Sequence, residues 1–260
     1  TSISLILLKT NMVSIYFVHW IGILVSLLIA GGYTCIFFHR SIQHHQDQSY
    51  QIPKKALAIY RSINYFVYGT LIYVFVFLDR IIAWSSGTGR ELPYFIYYEA
   101  NYEIGMDLAI VVFFLLAGVM EYSVSSFSRY LEFHQRTECL FETDRFNDKM
   151  LMHYRNNLYL FMISGFFIFL VLYMITSQDW GYEAAFNGAL DPLSLWVCMI
   201  GSVGYLMLSL GMLNVLYLYT LNHRNKPVLF IVAALLINAF IGIACSRWIS
   251  YEYAVVGMLI

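Results

Sequence analysis

Four charged residues lie within long apolar runs of the sequence, where charged side chains are uncommon. Asp79 and Arg80 are adjacent in VFVFLDRIIAW, Asp107 lies in NYEIGMDLAI, and Glu121 lies near the end of the run that follows. A charge at the centre of a bilayer costs about 2.5–3.5 kcal/mol on insertion scales, so it persists mainly in a pair or beside a water-filled cavity. These residues therefore predict either a buried structural pair or a polar path across a membrane.

The spacing of Asp79, Arg80 and Asp107 predicts an ion pair. Adjacent residues are about 100° apart on a helix, so Asp79 and Arg80 cannot neutralise each other within one turn, and at least one should face the protein interior. Arg80 lies about four residues, or roughly 6 Å, before the end of its run, and Asp107 lies just after the next run begins. We therefore expect Arg80 to pair with Asp107 or Asp79 near one face of the membrane.

Two asparagines lie in later apolar runs. Asn214 shares an arc of about 140° on a helix with three glycines, and small residues there allow close helix contact without any transport role. Asn238 lies near the middle of its run, where it either hydrogen-bonds across helices or lines a polar path. The glycines are Gly201, Gly204 and Gly211.

Signatures of enzymes and metal sites are missing from the sequence. It contains no GxSxG, HExxH or Walker lysine motif. The one close histidine group, His39, His44 and His45, belongs to a polar segment whose exposure to solvent explains it. The four cysteines show no paired spacing. We therefore expect no catalytic residue, no cofactor and no metal site.

The composition indicates that lipid covers most of the surface. Of 260 residues, 60% are apolar and 12% are charged, against roughly 45–50% and 25% in soluble domains. The longest run of basic residues is the pair Lys54 and Lys55, so nucleic acid is not expected as a partner. The sequence predicts a protein that crosses the bilayer several times.

The apolar runs predict an all-α bundle of membrane-spanning helices. Each is long enough to cross about 30 Å of hydrocarbon and too long for a barrel strand of roughly ten residues. Six complete spans are predicted, with a truncated seventh that begins at Tyr251. The six cover residues 12–38, 63–84, 105–124, 157–176, 193–221 and 228–246.

The distribution of Lys and Arg predicts the orientation of the helices. Alternate loops hold 11 of these residues and the intervening loops hold 2, and the positive side is cytoplasmic. The first span should then run from outside to inside, and a helical hairpin at about 125–156 should lie in the cytoplasm. This hairpin is either a solvated connector or a docking surface, with Arg129 and Arg136 as contacts. From Thr1 and this orientation we expect a piece of a longer chain with at least one helix before it.

Two segments resemble the C-terminal half of the PelG family, the inner-membrane transporters of Pel exopolysaccharide within the multidrug/oligosaccharidyl-lipid/polysaccharide flippase superfamily. They are YVFVFLDRIIAW and YYEANYEIGMDLAIVVFFLLAGVMEYSV, the second followed by the charged, aromatic SSFSRYLEFHQ. The sequence departs from the family in having Arg80 where Lys is more usual. The resemblance implies helices six to twelve of a twelve-helix transporter in the bacterial inner membrane.

The resemblance also implies a function and partners. Two six-helix bundles would alternate access to export polysaccharide, beside a cytoplasmic glycosyltransferase and other inner-membrane subunits. A cationic polymer would favour an acidic path. A sensory or receptor-like module that signals through the hairpin, and a structural subunit of a membrane complex, are the alternatives. The residues predicted to form the path or gate are Asp79, Arg80, Asp107, Glu121, Asn214 and Asn238.

Overall fold

A computed structural model of the chain describes residues 21–22, 24–36, 55–86, 99–137, 143–223 and 225–259. These residues form helices and no strand, which confirms the all-α prediction. The chain divides into two compact units, Thr1–Ala58 and Ile59–Ile260. In the first unit, the described residues contain a short apolar helix, α1 (Leu24–Ile36). The rest of the span predicted at 12–38 lies outside the described residues.

Five further helices are long and apolar enough to cross a membrane. They include the second to sixth predicted spans, so the chain has the architecture of a multi-pass membrane protein. The described residues hold five such helices, whereas the sequence predicted six, because α1 as described is too short to cross. The five helices are α2 (Lys55–Ser85), α3 (Ala100–Thr137), α4 (Thr143–Ser177), α5 (Pro192–Thr220) and α6 (Lys226–Trp248).

The helices α3 and α4 extend well beyond the predicted spans. The span predicted to end at residue 124 continues as helix to Thr137, and the span predicted to begin at residue 157 starts at Thr143. No Pro or Gly interrupts these extensions, so nothing in the backbone breaks the helical hydrogen bonding. The predicted hairpin therefore consists of extensions of α3 and α4. We call this end of the bundle the hairpin end, and the opposite end, where α2 finishes, the Trp84 end.

A closely packed pair, α3 and α5, forms the centre of the second unit. A Cβ atom on Gly105 of α3 would lie 2.7 Å from the Ser194 carbonyl oxygen and 2.8 Å from Val197 Cβ, so glycine allows the two backbones to approach. Farther along, Gly201 of α5 faces Ala109 in the same way. The residue numbers at these two contacts increase in the same direction on both helices, so α3 and α5 run parallel. The core places α2 and α6 on one side of this pair and α4 on the other.

Hydrogen bonds at the Trp84 end fix the register of α3 and α5. Asp191 caps α5 by accepting from the Leu193 amide at 3.5 Å, with Pro192 in the first turn. The Asn101 amide donates to Asp191 at 2.5 Å, and the Ser194 hydroxyl donates to the Asn101 carbonyl at 2.7 Å. The first turns of the two helices are therefore tied together beside the charged residues of α3.

The segment where the sequence predicts a seventh span is a nine-residue 3₁₀ helix, Tyr251–Leu259. A Cβ atom on its Gly257 would clash with Asn238 Oδ1 of α6, and Met258 lies against Gly204 of α5. These contacts show that the 3₁₀ helix is antiparallel to α6 and parallel to α5. The chain therefore reverses direction after Trp248 and lies between the two helices. Two of the three glycines predicted to allow close packing do so, whereas Gly211 has open space beside it.

Candidate functional site

Arg80 makes two ion pairs across α2 and α3. Its Nη1 donates to Glu103 Oε2 and to Asp107 Oδ1, the latter at 2.9 Å. Arg80 and Glu103 are buried, whereas the Asp107 side chain is 66% exposed. The pairing with Asp107 agrees with the sequence prediction. Glu103 is an additional partner that the prediction did not include.

Asp79 points to a different neighbour. It is completely buried, and its Oδ2 accepts a hydrogen bond from the Tyr102 hydroxyl at 2.9 Å. Its Oδ1 has no hydrogen-bond partner among the described residues. The alternative pairing of Arg80 with Asp79 is therefore not formed, while the prediction that at least one of these two residues faces the interior is confirmed for both.

Helical spacing explains how the cluster is assembled. Arg80 and Trp84 are four residues apart on α2, and Glu103 and Asp107 are four residues apart on α3, so each pair shares a face. The Trp84 indole Nε1 donates to Glu103 Oε1 at 2.9 Å, which gives the Glu103 carboxylate a donor on each oxygen. We refer to the residues of this site as the Arg80 cluster: Asp79, Arg80, Trp84, Tyr102, Glu103 and Asp107.

The chemistry of the Arg80 cluster is electrostatic. It holds three carboxyl groups and one guanidinium group, and the guanidinium lies 5.8 Å from the centre of the Phe77 ring. Only Asp107 combines contact with the buried guanidinium and large exposure. Such a site can attract a cation at its exposed carboxylate while Arg80 holds α2 against α3. A competing cation at Asp107 would weaken one of the two ion pairs.

Sequence analysis missed Glu103 because the third span was predicted to begin at residue 105. The helix begins five residues earlier, at Ala100, so Glu103 lies inside it. The spacing of Glu103 and Asp107 on one helical face was the signal that could have identified this residue.

The other predicted path residues do not join the Arg80 cluster. Glu121 is exposed on α3, about 21 Å along the helix from Asp107 at 1.5 Å per residue. Asn214 accepts a hydrogen bond from the Tyr154 hydroxyl at 2.7 Å near the hairpin end. Asn238 is buried against Gly257, and neither polar atom of its side chain has a hydrogen-bond partner within the described structure.

The residues predicted to dock a partner lie on the extension of α3. Arg129 is exposed, and its Nε donates to the Ser125 carbonyl oxygen at 3.4 Å. Arg136 belongs to the same helix, although its side chain is outside the description. His39, His44 and His45 also lie outside the described residues. Elsewhere, the described residues contain no group of three or more His, Cys, Asp or Glu side chains that could hold a metal ion.

Comparison with known proteins gives no match. No protein-family model, curated protein or solved structure matches this chain. The resemblance to the PelG family rests on the quoted sequence segments alone.

Proposed function

We propose that this chain is part of an exopolysaccharide transporter of the bacterial inner membrane, of the PelG type, and that the Arg80 cluster is a gate on its polar path. The observation that carries the proposal is the presence of one arginine and three carboxyl groups inside two neighbouring membrane-crossing helices. Charges in such segments are costly, and they often mark transport paths for polar cargo.

The charges of the Arg80 cluster suit a cationic polymer. Carboxyl groups outnumber the guanidinium three to one, and Asp107 presents the exposed carboxylate. A positively charged sugar unit that reached Asp107 would compete with Arg80 for it. Passage of the cargo would then be coupled to the contact between α2 and α3.

The proposed transporter includes spans that complete the bundle. Residues 12–38 form the first of six complete spans in this proposal, and the 3₁₀ helix Tyr251–Leu259 begins the seventh. The hairpin end faces the cytoplasm and the Trp84 end faces outward. The whole then corresponds to the C-terminal half of a twelve-helix protein that works by alternating access.

The hairpin end is also the proposed dock for a cytoplasmic glycosyltransferase. It carries exposed basic and apolar groups, including Arg129, Phe133 and Leu151, the last two each 62% exposed. Arg136 belongs to the same proposed surface. A polymer delivered here would enter the bundle at the end opposite to the Arg80 cluster.

Export in living cells tests the function. The full-length protein carrying Glu103→Gln is expressed in a strain that lacks the wild-type gene, and secreted polysaccharide is measured together with the amount of protein in the membrane. This change keeps the volume of the side chain and removes its charge. We expect normal insertion and an approximately tenfold loss of secretion, which corresponds to about 1.4 kcal/mol.

The matched control is Glu183→Gln, which makes the same chemical change at an exposed carboxylate between α4 and α5, outside the predicted path. It should secrete polymer at the wild-type rate. Normal secretion by Glu103→Gln at normal membrane levels would contradict the gate and favour a sensory role. If the Glu103→Gln protein were instead lost from the membrane, this would favour a structural subunit in which the Arg80 cluster stabilises the fold.

A further inference from the structure

Three buried polar atoms at the Trp84 end have no hydrogen-bond partner within the described structure. They are Asp79 Oδ1, Arg80 Nε and the hydroxyl oxygen of Tyr205 on α5. Asp79 and Tyr205 are completely buried, and Arg80 is buried. Buried polar groups in folded proteins are nearly always hydrogen-bonded, so each of these three atoms requires an explanation.

Tyr205 lies beside the Arg80 cluster without being bonded to it. Its hydroxyl group is close enough to interact electrostatically with both Asp79 and Arg80, but it makes no hydrogen bond of normal geometry with either. Its ring packs against Phe113 of α3, with 6.2 Å between the ring centres. Tyr205 therefore brings a third helix, α5, close to the charged residues of α2.

The three atoms are chemically complementary. Arg80 Nε donates a hydrogen bond, Asp79 Oδ1 accepts one, and a tyrosine hydroxyl does both at once. One hydroxyl group that accepts from Arg80 and donates to Asp79 would therefore satisfy all three atoms. Asp79 and Arg80 are adjacent on α2 and about 100° apart, which separates their side chains, so a bridging group suits them better than direct contact.

The bonds that Arg80 makes to α3 explain why this bridge is not formed. Its Nη1 donates to Glu103 and to Asp107, and these two bonds direct the guanidinium group toward α3. The guanidinium group is planar and its donors have a fixed geometry, so a rotation that turns Nε toward Tyr205 draws Nη1 away from α3. A second arrangement, with Nη1 released, would give all three atoms a partner.

We propose that Tyr205 is a positioning residue that bridges Arg80 and Asp79 when Arg80 releases the carboxylates of α3. This inference rests on the proposed function, in which a positively charged group competes with Arg80 for Asp107, and it supplies the second state of that gate. An arginine is always protonated and is costly inside a membrane without a partner. The bridge keeps Arg80 hydrogen-bonded while Glu103 and Asp107 are available to the cargo.

A double-mutant cycle in the purified full-length protein tests the bridge. Unfolding by sodium dodecyl sulfate is measured for Tyr205→Phe in the wild type and in a Glu103→Gln/Asp107→Asn background, where Arg80 has lost both charged partners. In the wild type the hydroxyl has no partner among the described residues, so its removal should not raise the unfolding equilibrium constant. In the second background we expect a rise of about tenfold, because the bonds to Arg80 and Asp79 are lost.

Tyr217→Phe is the matched control. Tyr217 is also a buried tyrosine of α5 whose hydroxyl has no hydrogen-bond partner in the part of the chain that the structure describes. It lies about 18 Å along the helix from Tyr205 at 1.5 Å per residue, so its effect should be the same in both backgrounds. If the background with two changes does not fold, Glu103→Gln alone replaces it, and Tyr205→Phe should then raise the unfolding constant at least about threefold.

Export gives the functional readout. At normal membrane levels, Tyr205→Phe should lose about fivefold of polysaccharide secretion, because released Arg80 has no bridge. Three results would overturn the inference. They are equal effects of Tyr205→Phe in both backgrounds, a tenfold rise of the unfolding constant in the wild type itself, and normal secretion by Tyr205→Phe where Glu103→Gln is impaired.

Unfolding is measured without transport, so the bridge and the gate can fail separately. A cycle that shows the bridge, together with export that ignores Glu103, contradicts the proposed gate. Export that depends on Glu103, together with a cycle that shows no coupling to Tyr205, contradicts only the bridge.

Discussion

The two ends of the bundle differ in how they hold polar groups: one end contains buried ion pairs, and the other contains a cavity with an uncharged lining. At the Trp84 end, Arg80 and Glu103 are buried and joined by an ion pair, which links α2 to α3 through their side chains. At the hairpin end, α3, α4 and α5 leave a cavity of about 480 Å³ whose lining is uncharged. The same two central helices, α3 and α5, pass through both regions.

This difference between the two ends indicates which contacts keep the helices of the bundle together. Charged partners inside a membrane must stay in contact, because separating them leaves a buried charge unpaired. Aromatic and aliphatic side chains at the hairpin end have no such requirement, so the helices can separate there. In the proposed transporter, this is a bundle closed at the Arg80 cluster and open toward the hairpin end.

Arg80→Ala should have the largest effect on stability. Removing one partner of a buried ion pair typically costs about 3–5 kcal/mol, and we expect about 3 kcal/mol because Asp107 stays in contact with water. The free energy of unfolding, measured by titration of the purified protein with sodium dodecyl sulfate, gives the value. Arg129→Ala removes an exposed arginine from α3 and should stay within about 0.5 kcal/mol of the wild type. If Arg80→Ala and Arg129→Ala lost equal free energy of unfolding, the Arg80 cluster would contribute no more to stability than an exposed arginine does.

Tyr102→Phe should have an intermediate effect. It deletes the hydroxyl that donates to Asp79 at 2.9 Å and leaves a fully buried carboxyl group without that donor. We expect a loss of about 1–2 kcal/mol in the same titration. Tyr122→Phe makes the same chemical change at an exposed position of α3 and should have no measurable effect. If Tyr102→Phe and Tyr122→Phe lost the same free energy of unfolding, the hydrogen bond to Asp79 would contribute nothing to stability.

Tyr154→Phe should have the smallest effect. The lost bond to Asn214 lies at a cavity into which water can enter, so we expect about 0.5–1 kcal/mol. Tyr159→Phe, on the exposed side of α4, is the control. If Tyr154→Phe destabilised the protein more than Tyr102→Phe, the contrast between a tightly bonded end and an open end would be wrong.

The sequence was sufficient to predict the one contact of the Arg80 cluster that depends on how deep two residues lie in the membrane. Arg80 and Asp107 lie at similar distances from the ends of consecutive apolar runs, and the two residues are paired. The rotation of each helix about its axis cannot be calculated from run lengths. For this reason the prediction did not distinguish Asp79 from Asp107 as the partner, and Tyr102 was not recognised as the donor to Asp79.

The hairpin-end cavity could not be predicted for a related reason. The sequence predicted a helical hairpin at about 125–156, but the space beside it depends on how far α3, α4 and α5 separate. Asn214 was singled out by its arc of glycines, and its partner Tyr154 lies 60 residues away in sequence. Contacts over such separations are set by tertiary packing and leave no local pattern.

We propose that cargo enters at the hairpin end and leaves past the Arg80 cluster, which requires the two ends to face opposite sides of the membrane. Single cysteines at Asp148, exposed on α4 near the hairpin end, and at Ala185, exposed in a short helix between α4 and α5, test this directly in a background without the four native cysteines. Labelling intact cells with a membrane-impermeant maleimide should modify only Ala185→Cys, and Asp148→Cys should react after the membrane is opened. Modification of Asp148→Cys in intact cells would contradict the account.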